Sequence, residues 1–140
     1  MQFIKLFFSL FAILFFLSAC GDDKTVTQTY KKVDIAKVDS IKLLSIYPDI
    51  QEKIEQAIAN ENLTIKQDSP YAIKLDYMNY KKICNNPMTS AYDATFDGFI
   101  RLTFLKDDKR IYMCQKEFRG ELSVSGLEKL LTLMRDDLEF

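Results

Sequence analysis

The chain of 140 residues carries 19 basic and 20 acidic side chains, a formal net charge of −1 with no block of like charge, which excludes nucleic-acid binding driven by electrostatic steering. It contains no histidine, which removes Ser–His and Cys–His nucleophile pairs, histidine zinc sites and the commonest general base. Its four glycines, Gly21, Gly98, Gly120 and Gly126, form no phosphate-cradling loop.

In chain order, the first element is a leader. Lys5 stands in a short polar start, an apolar run extends from Leu6 to Leu17, and small residues follow in Leu17-Ser18-Ala19-Cys20. This is the layout of a secretory signal peptide, and the run is shorter than the roughly 20 apolar residues a spanning helix needs. The Leu-Ser-Ala-Cys tetrad resembles the lipobox of bacterial lipoproteins. That resemblance implies cleavage before Cys20, diacylglycerol on its sulfur and an acyl chain on its nitrogen, with no other cofactor. The second mature residue, Gly21, implies delivery to the outer membrane, facing the periplasm, or to the outer face of the plasma membrane where no outer membrane exists. Residues 1–19 are then the leader and residues 20–32 a lipidated cysteine with a polar tether, of about 20 Å reach as a coil and about 40 Å extended. One domain spans residues 33–140.

Within the domain, Ser40 to Ile46 reads as a strand. Tyr47-Pro48 opens a helix whose buried face is Ile50, Ile54, Ala57 and Ile58, and Asn60-Glu61-Asn62 ends it. Alternation at Tyr71, Ile73, Leu75 and Tyr77 marks a second strand, and Asn85-Asn86-Pro87 breaks the chain into a loop. A strand from about Thr95 to Lys106 turns at Asp107-Asp108-Lys109 into a return strand, Arg110 to Phe118, which Gly120 ends. A last helix begins near Gly126, with Ser125 and Glu128 spaced as a capping box and a stripe of Leu127, Leu130, Leu131, Met134 and Leu138. The predicted fold is an α+β two-layer sandwich on a mostly antiparallel sheet, in the order strand, helix, three-strand meander, helix. This order resembles the lipopolysaccharide-assembly lipoprotein of the outer-membrane translocon and auxiliary lipoproteins of envelope transporters and cell-wall synthases. Element order alone transfers no function; an envelope protein partner is expected instead from the anchor, the short tether, the compact domain and the lack of a catalytic constellation.

In an exported chain the remaining cysteines, Cys84 and Cys114, are expected to form a disulfide. Asp93-x-x-x-Asp97-Gly98 does not match a calcium loop, no metal is expected, and Asp107-Asp108 and Asp136-Asp137 read as solvated. Tyrosine is the more informative residue. Tyr80, Phe99 and Tyr112 are expected to point away from the helices as an aromatic contact surface, with Tyr92 in the 84–93 loop as a further contact. The sequence thus points to a non-enzymatic, membrane-anchored lipoprotein that binds a partner protein. The alternative is a small-ligand or lipid-binding module with an apolar cavity lined by Leu102, Phe104 and Leu131.

Overall fold

The structure, a computed structural model, describes residues 25–35, 37–80 and 96–140. Cys20, Cys84, Tyr92 and Asp93 lie outside the described residues. The described chain forms strands β1 (Thr25–Thr29), β2 (Ser40–Leu44), β3 (Thr64–Ile65), β4 (Tyr71–Asn79), β5 (Gly98–Lys106) and β6 (Lys109–Phe118). Its two described helices are α1 (Gln51–Asn60) and α2 (Val124–Leu138). The strands make one open sheet in the order β1-β6-β5-β4-β2-β3. β2 runs parallel to β3 and β4, and the other pairs are antiparallel.

The meander follows from alternation and one turn. Ile73, Phe104 and Tyr112 are cross-strand partners, as are Leu75, Leu102 and Cys114. Cross-strand partners share a face, so these six side chains form one continuous layer, with no solvent exposure at any of them. Asp107 and Asp108 take φ of 48° and 62° in the two-residue turn between paired Lys106 and Lys109, the left-handed conformation that Asp tolerates in a tight hairpin. Gly98 is required where it stands: a Cβ there would lie 2.1 Å from the Met78 carbonyl oxygen and 2.6 Å from the Phe118 ring.

Both helices cover the same layer. Ile54, Ala57 and Ile58 of α1 and Leu127, Leu130, Leu131 and Met134 of α2 are buried against it, each large side chain stabilising the fold by about 1.5–3 kcal/mol. The helices are joined at their polar margins, where Arg135 Nη1 lies 3.0 Å from Glu61 Oε2 and Thr132 Oγ1 donates to Glu61 Oε1 at 2.9 Å.

Three details differ from expectation. β1 lies within the stretch read as tether and pairs with β6 from Thr25↔Lys116 to Thr29↔Tyr112, so the sheet begins well before residue 33. α2 starts at Val124, and its cap is Ser123, whose Oγ accepts from Gly126 N at 3.0 Å; Glu128 instead accepts from Asn60 of α1. α1 starts at Gln51, a turn later than Pro48, with Ile50 N donating to Tyr47 O at 3.0 Å in the preceding turn. Its left-handed terminator is Asn62, with φ of 59°.

Candidate functional site

The sheet's second face carries no described helix. Alternation puts Ala72, Lys74, Asp76 and Met78 of β4 there, with Phe99, Arg101, Thr103 and Leu105 of β5 and Met113 and Gln115 of β6. Arg101 is its organising residue. It stands in register with Asp76 on one side and Gln115 on the other. Its Nε and Nη2 both donate to Gln115 Oε1, at 2.9 and 2.7 Å, and its guanidinium carbon lies 5.7 Å from the centre of the Phe99 ring. The Tyr80 ring is 6.4 Å from Phe99, and Met78, directly opposite Phe99, is 39% exposed. A guanidinium held over a ring by a fixed acceptor loses little freedom on meeting a partner. Arginine, tyrosine, phenylalanine and methionine are also the residue types enriched at the centres of protein interfaces.

Tyr112 does not belong to this surface. It is partnered with Phe104, so it faces the helices, is fully buried, and its hydroxyl donates to Asp137 Oδ2 at 2.5 Å. Asp137 therefore binds the sheet rather than merely facing solvent. Of the predicted aromatic contacts, the structure brings together Tyr80 and Phe99. Sequence reasoning missed Arg101 and Gln115, whose joint signal is a shared face across an antiparallel pair.

The expected disulfide is absent: Cys114 is a free thiol. Alternation turns it under α2, fully buried, with Sγ–H directed at Leu130 O at 3.7 Å. The side chain is thus part of the packed layer between sheet and helix. Burial, reinforced by the Asp137 charge, pushes its pKa up to about 12, and burial together with the hydrogen bond to Asp137 raises that of Tyr112. A thiol held protonated in this way is a poor nucleophile.

The shift has a testable consequence. The thiol ionises near 9 when unfolded, so below that pH both states keep the proton and the contribution is fully present. Above it the unfolded state loses a proton that the folded state retains, and stability falls as pH rises toward 12, by about 1.4 kcal/mol per pH unit for one group. Tyr112 adds to the fall above its ordinary value of 10. Denaturant midpoints measured from pH 8 to 11 are expected to decline, and Cys114→Ala to flatten that decline by one proton's worth of slope. An unchanged slope in the variant would contradict the assignment.

Catalytic material is scarce among the described residues. No group of three or more Cys, Asp or Glu could hold a metal ion there. Asp97 is committed to structure, its carboxylate accepting from Gly120 N, where φ is +69°. Leu102, Phe104 and Leu131, the expected lining of an apolar cavity, are all fully buried in the core. Grooves occur at the surface instead. One of about 390 Å³ lies between the β1–β2 connection and the end of α2, lined by Lys31, Lys32, Asp34, Asp137 and Glu139 among others. Another of about 230 Å³ lies beside Lys116, Arg119, Glu121 and Ser123. Their charged walls do not suit an apolar ligand.

No protein-family model and no curated protein matches the chain. Among solved structures, the PelC dodecamer from Paraburkholderia phytofirmans is similar at 12% identity, over 78% of this chain and 96% of that one, with a TM-score of 0.46. A point variant of the same protein is similar at 12% identity, over 82% and 98%, with a TM-score of 0.48. A likeness at this level transfers neither role nor assembly to this chain.

Proposed function

We propose that the chain is a non-enzymatic lipoprotein of the bacterial envelope, acylated at Cys20, whose α+β domain docks a partner protein on the face of its sheet that no described helix covers. The observation that carries the docking surface is Arg101, donating twice to Gln115 Oε1 and lying over the Phe99 ring in the middle of that face. The Leu-Ser-Ala-Cys tetrad supports the anchor, and only Gly21 to Lys24 separate Cys20 from β1. Four residues reach at most about 14 Å, so the sheet works close against the membrane.

A photoreactive amino acid at Phe99 or Gln115 of the full-length chain, irradiated in intact cells, tests the surface. A discrete adduct is expected at both positions and not at Asp108, in the exposed hairpin turn. Arg101→Ala should reduce it about tenfold, the effect of losing an interface contact worth about 1.4 kcal/mol. Adducts as strong at Asp108 as at Phe99, or insensitive to Arg101, would exclude this face.

A further inference from the structure

The docking face holds a cation that the fold itself does not neutralise. Arg101 is half-buried on β5, with Asp76 in register on one side and Gln115 on the other. The carboxylate is not its partner. Asp76 Oδ1 lies 3.7 Å from Lys74 Nζ on its own strand, and Arg101 takes part in no ion pair among the described residues. It donates instead to Gln115 Oε1, from Nε at 2.9 Å and from Nη2 at 2.7 Å. An amide oxygen orients a guanidinium and leaves its charge in place.

A guanidinium offers parallel N–H groups along two edges, one through Nε and one between Nη1 and Nη2. Gln115 occupies the first. Nothing among the described residues accepts from the second, the edge whose spacing matches the two oxygens of a carboxylate. Its surroundings favour the same ligand. Cross-strand partners share a face, which puts Lys42, Lys74, Arg101 and Arg110 there against Asp76 and Glu117. That is a positive excess in a chain whose net charge is −1. Glu117, opposite Phe99 and one pair along from Gln115, would repel a broadly acidic surface, so the match is to a carboxylate placed at Arg101.

Resting on the docking reading above, we propose that the partner protein presents an aspartate or glutamate to the Nη1–Nη2 edge of Arg101. Phe99 and Gln115 hold the guanidinium where it stands, so the pair forms with little further ordering of the arginine.

The full-length chain with a photoreactive amino acid at Met78, on the same face and outside the Arg101 contacts, reports docking in intact cells. Arg101→Lys keeps the charge without the fork and should hold adduct yield within about threefold. Arg101→Met keeps the apolar stem without the charge and should lower it about tenfold. A second arm detects the acid directly. Envelopes containing the Arg101→Lys chain are treated with a water-soluble carbodiimide, which converts a carboxylate to an O-acylisourea. An amine in contact attacks the activated carbon, the C–O bond breaks, the urea leaves and an amide remains. Mass spectrometry is expected to place such an amide between position 101 and an Asp or Glu of another protein. This arm does not depend on the folding of Arg101→Met, which circular dichroism checks. Equal Met78 adducts from Arg101→Met and the unsubstituted chain would overturn the carboxylate and leave the docking face standing. An Arg101→Lys chain that docks yet is joined at 101 to no other protein would do the same. Absence of any Met78 adduct from the unsubstituted chain would remove the face, and the carboxylate with it.

Discussion

Cys20→Ala is expected to remove acyl label from the chain and to move it from the membrane fraction to the soluble one, a change of at least about a hundredfold in partition. Each buried methylene contributes about 0.8 kcal/mol, a single chain holds a protein only marginally, and two or more hold it stably. The proposed acylation through the sulfur and the new amino terminus would supply that plurality, and both would depend on Cys20. Among the described residues no helix is long and apolar enough to cross a membrane. Palmitate labelling in growing cells, followed by fractionation, checks the outcome. Label retained by the variant, or an unlabelled natural chain, would dismiss the anchor.

Position matters as much as attachment. Because β1 begins at Thr25 and pairs with β6, the link from Cys20 is about a third of the length that the polar stretch to Lys32 had indicated. Polar composition concealed this strand. Thr25 to Thr29 has no apolar face because its side chains are exposed on both sides of a sheet edge. A rule that looks for one buried face does not see such a strand. The same logic explains what was legible. Ile73, Leu75, Ile100, Leu102 and Phe104 alternate cleanly because one face is dry, and Leu127, Leu130, Leu131 and Met134 recur at helical spacing for the same reason.

Strand β6 was harder because Ile111 and Tyr112 are adjacent and both buried. The register shifts between Phe104 and Leu105, opposite these residues, and an irregularity of this kind lets neighbours both turn inward. Tyr112 could therefore be assigned to either face from pattern alone, and its partner Asp137 was out of reach of any local rule. Cys114 failed differently. Compartment logic favours pairing of two exported cysteines, whereas burial under Leu130 decides the actual environment of this one. Arg101 escaped notice because a lone arginine in a strand looks like a solvated residue until its neighbours are in register.

Phe104→Ala is expected to produce the largest loss of stability of any single truncation in the domain. The ring is fully buried, stacked between Tyr71 at 5.7 Å and Phe140 at 5.4 Å between centres. It sits at the crossing of three strands, in register with both Ile73 and Tyr112. Its removal costs the transfer energy of the side chain and leaves a cavity that flanking strands cannot close, together about 3–5 kcal/mol. For a domain of this size that corresponds to a fall in Tm of at least about 12 °C. Phe104→Leu keeps most of the volume and should cost less than half as much. Phe99→Ala is the informative contrast, because its half-buried ring lies on the opposite face of the same strand. It should change Tm by no more than about 1 kcal/mol equivalent while weakening adduct formation at Gln115. Thermal melts of the three variants beside crosslinking yields separate the two faces. Parallel losses of stability and adduct in Phe99→Ala would mean that this ring serves the fold, and the docking surface would have to be sought elsewhere.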